Sequence, residues 1–228
     1  MTTTERIGVW NQLVGQEPAV ETLSAAASAA AKIIAGEPAP PGAMTHAWLL
    51  TGPPGSGRSV AARTFAAALQ CSTGTGCDAC PGCHTTMAGT HADVRLVVPE
   101  GLSISVAEMR ALVQAAARRP TTGNWQVVII EDADRLTEGA SNALLKAVEE
   151  PPDRTVFLLC APSDHPEDVS VTIRSRCRLV TLRTPPPEAI ADVLMRRDNV
   201  DAERAHWAAS VCGGHVGRAR RLATDEAA

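Results

Sequence analysis

Short apolar runs alternate with longer segments of helical periodicity through most of this 228-residue chain. The runs stand at residues 46–51, 93–99, 126–134, 155–161 and 177–183. They lack the strict alternation of apolar and polar residues that marks a half-exposed strand, which is typical of strands covered on both faces. The pattern therefore predicts five strands of a buried, parallel sheet.

The segments between these runs carry apolar residues three and four positions apart. This spacing predicts helices at residues 17–36, 58–70, 105–119 and 137–150. Strands that alternate with helices indicate an α/β fold in which helices cover both faces of one sheet.

The proline-rich stretch at 184–187 separates two regions of different character. Strands and helices alternate before it, whereas three short helical segments follow it without any apolar strand run. We therefore predict a strand–helix domain over residues 1–183 and a small three-helix domain over residues 184–228.

Composition and charge narrow the function classes. The chain has a formal net charge of −4 and only 3% aromatic residues. A protein that binds nucleic acid tightly by itself is usually basic, and single-strand binding needs rings for base stacking. An isolated DNA-binding role is therefore disfavoured. No apolar run is long enough for a membrane span and the start has no signal-peptide pattern, so a cytoplasmic location is expected.

The stretch TGPPGSGRSV, at the end of the first predicted strand, is close to a phosphate-binding loop. Such a loop ends in Gly-Lys-Ser/Thr, and its backbone N–H groups surround the phosphates. Arg58 replaces the lysine and carries its charge on a longer stem with a planar fork. The residues predicted to bind ATP or ADP are Gly52, Pro53, Pro54, Gly55, Ser56, Gly57, Arg58 and Ser59. A glycine-rich turn without a ligand remains the alternative.

The third predicted strand ends in two acids, Glu131 and Asp132. In phosphate-loop ATPases an Asp at this place holds Mg²⁺, and a Glu after it polarises the attacking water. The order is reversed here, so Asp132 stands at the position of the base with a side chain one methylene shorter. Glu131 can still hold a metal through its longer arm, unless the pair is simply solvated. Together with Arg58, the reversal predicts little or no hydrolysis by this chain alone.

Four of the seven cysteines fall within residues 71–83. Cys71, Cys77, Cys80 and Cys83 form two overlapping CxxC steps with a fourth thiol, which matches a tetrahedral structural zinc site. Since the protein fills all four positions, we predict a structural Zn²⁺ with no open position for catalysis. Four reduced cysteines on a loop are the alternative.

An arginine, Arg176, stands in a short serine-flanked turn of sequence TIRSRC before the last predicted strand. The residues alone leave two interpretations open. Arg176 is either an ordinary surface arginine or a finger that stabilises transition-state charge in a neighbour's phosphate site.

Taken together, these segments resemble one family. In chain order they are GPPGSGRS, the four-cysteine insertion, EDADRL, NALLKAVEEPP, SRC and GGHVGRARRL. Their order and spacing are similar to those of subunits of the bacterial sliding-clamp loader of DNA polymerase III, within the AAA+ superfamily. The resemblance runs from the region of Leu13 to that of Leu222, and NALLKAVEEPP with SRC is highly specific to clamp loaders. The altered nucleotide motifs resemble those of delta-prime subunits rather than motor subunits.

The resemblance implies a AAA+ domain with a zinc-binding insertion and a helical lid, together with roles for single residues. Arg176 would be the finger that completes the ATP site of an adjacent motor subunit. Arg218 would occupy the sensor-2 position of the lid, and residues 8–16 would flank adenine. Ser163 would take the sensor-1 position, where Pro162 and a long loop blur the match.

The resemblance also implies a role within the DNA polymerase III holoenzyme, a DNA-directed DNA polymerase. The chain would support ATP-driven loading of the sliding clamp onto primer-template DNA, beside gamma/tau motor subunits and delta. The family also carries a helical collar domain, so a chain that stops at Ala228 is expected to be truncated. Two alternatives stay open: an active motor subunit of the gamma/tau type, and a zinc-dependent DNA-binding module.

Overall fold

The structure, a computed structural model, describes residues 8–99 and 101–224. The outermost ends of the two predicted domains, residues 1–7 and 225–228, lie outside this part. The strands are β1 (Ala47–Thr51), β2 (Val94–Val97), β3 (Gln126–Ile130), β4 (Thr155–Ala161) and β5 (Arg178–Thr181). They form one sheet in the order β2-β3-β4-β1-β5, and every neighbouring pair is parallel. The predicted five-stranded parallel sheet is confirmed.

The centre and the edges of the sheet differ in burial. Every residue of β1, β3 and β4 is buried, as the continuous apolar runs predict. The edge strands β2 and β5 are partly exposed, because each pairs on one side only. They are shorter than the predicted runs, and so is β3, which ends at Ile130 rather than at residue 134 because Ala133–Arg135 form a 3-10 helix. No helix among the described residues has both the length and the apolar composition needed to cross a bilayer.

The helices occupy the predicted segments and two further ones. In the described ranges they are α1 (Glu17–Ala35), α2 (Arg58–Leu69), α3 (Pro81–Met87), α4 (Val106–Ala116), α5 (Glu138–Glu149), α6 (Val171–Arg174), α7 (Pro187–Arg197), α8 (Ala202–Val211) and α9 (Val216–Thr224). The capping box of Ser105 and Glu108 at the start of α4 is present, and Gly36 ends α1 in the left-handed conformation. The short helices α3 and α6 were not predicted, since each is less than two turns and lacks an apolar period.

Side chains from alternate positions of the strands enter two separate cores. On one face Trp48 and Leu50 pack with α1 and α2, and on the other Ala47 and Leu49 pack with α4 and α5. This arrangement explains why both faces of β1 had to be apolar. A third core, around Ile190, joins α7, α8 and α9 into the predicted three-helix lid.

One buried carboxylate organises the amino-terminal edge of the sheet. Asp93, which is 1% exposed, accepts hydrogen bonds from the backbone N–H groups of Thr121, Thr122 and Gly123 and from the Gln126 side chain. Burial alone would raise the pKa of Asp93, but the donated backbone hydrogen bonds outweigh it and hold the pKa well below its ordinary value. The carboxylate therefore fixes the loop that precedes β3.

Candidate functional site

The predicted phosphate loop connects β1 to α2, which is the strand–loop–helix context that a phosphate-binding loop requires. Gly55 and Gly57 have φ angles of +87° and +92°, which L-residues with a side chain rarely adopt. Gly57 directly precedes the first residue of α2, so the loop leads into the positive end of the helix dipole. The backbone therefore has the form of an anion-binding turn.

A cavity of about 340 Å³ opens beside this loop. It lies between the start of the chain, the loop and the lid. Its lining comprises Gln12, Leu13, Val14, Gln16, Gly55, Ser56, Gly57, Arg58, Ser59, Val60, Pro185, Arg197, His215, Val216, Gly217 and Arg220. The predicted adenine-flanking segment and the predicted phosphate loop thus meet at one cavity.

Two polar atoms of the loop fit an anionic ligand. Within the described residues, Ser56 Oγ and one terminal nitrogen of Arg58, Nη1, are buried without a hydrogen-bond partner. A buried donor without a partner is costly, and phosphate oxygens accept hydrogen bonds from hydroxyl and guanidinium groups. The residues present therefore fit the phosphate groups of a nucleotide.

Several contacts at the cavity had no signal in the sequence. The Gln16 side chain donates to the backbone carbonyls of Ser56 (3.1 Å) and Arg183 (2.6 Å), which ties the loop to the start of the lid linker. The ring of His215 lies against Gly55, so that a Cβ at Gly55 would stand 2.7 Å from the ring carbon Cγ. Arg197 donates to Gln12 across the mouth of the cavity. These contacts join residues far apart in the chain, which local pattern does not reveal.

The lid contributes a different arginine from the one predicted. Arg218, at the predicted sensor-2 position, is exposed and is not among the residues that line the cavity. The same helix presents Gly217 and Arg220 instead, and the Arg220 guanidinium is paired with Asp198 at 2.7 Å.

The two acids after β3 each have an arginine beside them. Glu131 Oε1 lies 3.5 Å from Arg63 Nη2, and Asp132 Oδ2 lies 3.9 Å from Arg135 Nε. Asp132 also has a positive φ of 52°, which Asp tolerates better than most residues. Each carboxylate thus faces a positive charge from the protein itself, which reduces the local attraction for a divalent cation.

Two side chains at and just after the end of β4, those of Cys160 and Ser163, are engaged within the protein. Burial raises the pKa of the Cys160 thiol to about 12, and the carboxylates of Glu131 and Asp132 act in the same direction. This cysteine is therefore a protonated core residue. Ser163, at the predicted sensor-1 position, donates from its hydroxyl to Asp168 at 2.6 Å. Its proton is engaged within the loop.

The four predicted metal ligands come together. The Sγ atoms of Cys71, Cys77, Cys80 and Cys83 all lie within 4.8 Å of one another. Zn–S bonds of about 2.3 Å in a tetrahedron put sulfur atoms about 3.8 Å apart, so the cluster needs only a small contraction to hold Zn²⁺. Cys83 is wholly buried, and α3 begins directly after Cys80. The short helix therefore brings the last two ligands to the first two.

Hydrogen-bond donors favour the thiolate form, which a metal requires, at two of the four cysteines. Burial opposes ionisation of Cys71, but hydrogen bonds from Thr73 and from the Cys77 N–H lower its pKa to about 5. The pKa of Cys80 is also lowered, because hydrogen bonds from Ser72 and Cys83 outweigh burial. Burial and the neighbouring cysteines raise the pKa of Cys83. Binding of a metal ion would favour release of the remaining thiol protons, because the ion binds the thiolate form.

Arg176 stands in the turn between α6 and β5 with 39% of its side chain exposed. Its guanidinium lies 2.7 Å from Glu149 Oε1 and donates to the backbone carbonyl of Thr172 at 2.9 Å. It is not among the residues that line the cavity beside the predicted phosphate loop. The predicted finger and the predicted nucleotide loop of this chain are therefore separate.

Comparisons with known proteins agree on one family. Residues 33–186 match the family model described as DNA polymerase III, delta subunit. The chain is 34% identical over 157 residues to DNA polymerase III subunit delta' of Bacillus subtilis, covering 68% of this chain and 47% of the relative. It is 36% identical over 169 residues to subunit delta' of Escherichia coli, covering 72% of this chain and 50% of the relative. The chain thus spans about half the length of these relatives.

Two further similarities are to a different clamp-loader subunit and to a protein that shares the fold. DNA polymerase III subunit gamma/tau of Mycobacterium tuberculosis is 32% identical over 189 residues, covering 81% of this chain and 30% of the relative. Among solved structures, the RuvB Holliday junction branch migration motor of Thermotoga maritima superposes with a TM-score of 0.55 at 21% identity, covering 92% of this chain and 61% of the other. The second likeness concerns the AAA+ fold alone. Because the family match covers more than half of the chain, the chain belongs to the delta-prime family of DNA polymerase III clamp-loader subunits.

Proposed function

We propose that this chain supports ATP-driven loading of the sliding clamp onto primed DNA, and that its chemical contribution is Arg176, supplied to the ATP site of an adjacent subunit. Its neighbours would be gamma/tau motor subunits and delta, with the clamp and primer-template DNA reached through the complex. As part of a bacterial replicase, it would work in the cytoplasm. Membership in the clamp-loader family and the position of Arg176 support this proposal.

The observation that carries the proposal is the distance between Arg176 and the phosphate loop of its own chain. In the parallel pair of β1 and β5, Arg178 pairs with Trp48, whereas the loop starts at Gly52 beyond the other end of β1. Four residues of strand span roughly 13 Å, and Arg176 lies two residues further away. An arginine at the amino-terminal edge of the sheet cannot serve a nucleotide at the carboxyl-terminal edge, so a neighbouring site is its natural target.

Arginine suits this task better than lysine. A guanidinium offers several N–H donors in one plane and stays charged, so it can contact two phosphoryl oxygens at once. Fingers of this kind stabilise the negative charge that develops on a transferring phosphoryl group. The partial exposure of Arg176 leaves part of this donor set open to an adjacent subunit.

At its own loop, we propose that the chain binds nucleotide without efficient turnover. The backbone of residues 55–59, together with Ser56 and Arg58, would hold the phosphates, and Arg220 lies at the same cavity. A nucleotide would bring its own Mg²⁺. Ser59 and Glu131 are the residues that would hold this ion. Hydrolysis lacks support because Asp132 is short for a base and both acids face arginines.

At the cysteine cluster we propose one structural Zn²⁺ per chain, held by all four thiolates. Elemental analysis of freshly prepared, reduced protein is expected to give one equivalent. Cys80→Ser should release the metal and destabilise the insertion, while the sheet keeps its far-UV circular dichroism, because the insertion lies outside the strand framework. Much less than one equivalent in the unaltered protein contradicts the site.

The decisive experiment compares the loader containing unaltered protein with one containing Arg176→Ala. The longest available form of this subunit is assembled with its partner subunits, clamp and primed DNA, and ATP hydrolysis is followed before the steady state. The burst attributable to the bordering site should fall at least about a hundredfold in rate, a conservative floor for loss of an arginine finger. An unchanged burst rate and amplitude would reduce Arg176 to a surface charge.

The similarity to gamma/tau makes an active motor the second candidate. The two functions differ in what the isolated chain does. A motor should hydrolyse ATP once a partner supplies an arginine, and that turnover should depend on Glu131 or Asp132. The proposed function predicts no such turnover.

A further inference from the structure

We propose that Glu149 is the positioning residue of Arg176, holding its guanidinium in the orientation that a neighbouring phosphate site requires. The inference rests on the proposed function of Arg176. It assigns Glu149 no contact with nucleotide. Its role is to act through the arginine.

The contacts around the guanidinium define one orientation. One terminal nitrogen, Nη2, lies 2.7 Å from Glu149 Oε1, while the other, Nη1, donates to the Thr172 carbonyl at 2.9 Å and to Ser175 Oγ at 3.3 Å. Acceptors on both terminal nitrogens fix the plane of the group. The other acceptors belong to α6 and to Ser175, which directly follows it, whereas Glu149 belongs to α5. Glu149 is therefore the acceptor that joins the Arg176 guanidinium to a separate element of the domain.

The two elements that carry the pair are anchored in the same core. Val148, next to Glu149, and Ile173, in α6 just before the turn, are each 1% exposed and lie in one apolar cluster. Because both segments are anchored, the ion pair between Glu149 and Arg176 holds the guanidinium in a defined position.

Helix physics gives no other reason for this acid. Glu149 is the last residue of α5, where the negative end of the helix dipole disfavours a carboxylate. Glu150 and two prolines follow, so the acid cannot be serving a longer helix. The positive charge of Arg176 offsets this unfavourable location.

The Glu149–Arg176 ion pair contributes little to the stability of the fold, so a positioning role can be distinguished from a role in folding. The side chains of Glu149 and Arg176 are 40% and 39% exposed, and exposed ion pairs generally stabilise proteins only slightly. In contrast, a displacement of about 1 Å of a catalytic group can reduce a rate about a hundredfold. The expected signature is therefore a slower reaction at the neighbouring site without loss of the fold.

The same turn offers a matched control. Arg174 pairs with Asp164 at 2.6 Å, with exposures of 47% and 38%, which resembles the Arg176 pair in length and exposure. Asp164→Ala breaks an equivalent ion pair two residues away along the chain. It should leave the neighbouring site's hydrolysis within about twofold of the unaltered loader.

The experiment measures presteady-state ATP hydrolysis by the assembled loader carrying Glu149→Ala, Glu149→Gln, Arg176→Ala, the double substitution Glu149→Ala with Arg176→Ala, or Asp164→Ala. Glu149→Ala should slow the bordering site about tenfold to a hundredfold. Glu149→Gln keeps an oxygen acceptor and should recover part of the rate. The double substitution should be no slower than Arg176→Ala alone, because Glu149 acts only through Arg176.

The outcomes separate the inference from the function beneath it. If Arg176→Ala itself leaves hydrolysis unchanged, the proposed function fails and the inference with it. If Arg176→Ala slows hydrolysis but Glu149→Ala does not, the finger stands and the positioning role is overturned. Additive losses in the double substitution, or equal losses from Asp164→Ala, also overturn it. Thermal melting of each isolated variant verifies the fold, and Glu149→Gln decides the question if Glu149→Ala does not fold.

Discussion

Arginines pair with acids at both ends of the parallel strands, the carboxyl-terminal edge and the amino-terminal edge of the sheet, but with opposite consequences for the proposed functions. At the carboxyl-terminal edge Arg63 and Arg135 lie beside Glu131 and Asp132, the acids that a hydrolytic site would use for metal and water. At the amino-terminal edge the relation is reversed, because an acid of α5 holds the one arginine with a proposed catalytic role. Under the proposed function, charge pairing would lower the hydrolytic competence of the chain's own site and would fix the guanidinium that is offered to a neighbouring subunit.

The difference shows why fold alone does not determine which site an AAA+ chain serves. The phosphate loop keeps its backbone, with glycines at positive φ and a cavity beside them. Binding of an anion needs little more than such backbone donors. Hydrolysis additionally needs side chains placed with sub-ångström accuracy, and those are the positions at which this chain departs from the ATPase pattern.

The largest effect expected is loss of the finger's geometry at the amino-terminal edge. Arg176→Lys should slow hydrolysis at the bordering site nearly as much as Arg176→Ala, on the order of 10³-fold, since a lysine lacks the planar fork. Nucleotide affinity of the chain's own loop should not change. Presteady-state hydrolysis measures the effect at the bordering site, and a nucleotide titration measures affinity at the chain's own loop. If Arg176→Lys retained half of the rate, positive charge alone would be sufficient.

The next effect concerns a structural acid at the same edge. Asp93→Asn should lower the free energy of unfolding by about 3 kcal/mol, because an amide nitrogen would face backbone N–H donors in a buried place. Denaturant unfolding measures it, and Asp153→Asn, at an exposed position, serves as the control. A loss no larger than that of the control contradicts the assignment.

The same carboxylate predicts a pH dependence. Its pKa in the folded chain lies below the ordinary value of 3.8, so its contribution to stability is complete above that pH and is lost as the pH falls through the folded pKa. Stability of the unaltered protein should therefore drop in strong acid more steeply than that of Asp93→Asn. Parallel curves for the two proteins would contradict this.

At the carboxyl-terminal edge, Gly55→Ala should weaken nucleotide binding about tenfold, because a left-handed conformation is costly for alanine and the new methyl would meet the ring of His215. Hydrolysis at the neighbouring site should not respond, since Arg176 lies at the other edge. Gly101→Ala is a suitable control, because Gly101 does not line this cavity and a Cβ there meets no atom within 4 Å. Equal binding by both variants would argue against nucleotide at this loop.

The smallest effect is expected from restoring the missing lysine. Arg58→Lys should change turnover by the isolated chain less than about threefold, because the short Asp132 and the paired acids remain. Steady-state ATPase assays measure it. A large gain would show that Arg58 alone silences the loop.

Local pattern by itself determined the strands, the main helices, the glycine loop and the cysteine cluster. Central strands buried on both faces must be continuously apolar, and a loop of Gly and Pro between an apolar strand and a helix has few alternative forms. The four cysteines lie within thirteen residues, so their spacing alone was enough to predict that they converge. Strands β2, β3 and β5 came out shorter than predicted, because the apolar pattern does not reveal where strand pairing stops; the predicted run at 126–134 ends as a strand at Ile130 and continues as a 3-10 helix over Ala133–Arg135.

Only the tertiary structure decided which residues from distant parts of the chain lie together. The strand order sets Arg176 and the phosphate loop at opposite edges, and the lid brings His215 and Arg220 to the cavity in preference to Arg218. It also joins Glu149 to Arg176 across 27 positions of sequence. Such pairs depend on how separate elements pack, and neither periodicity nor spacing within one segment carries that information.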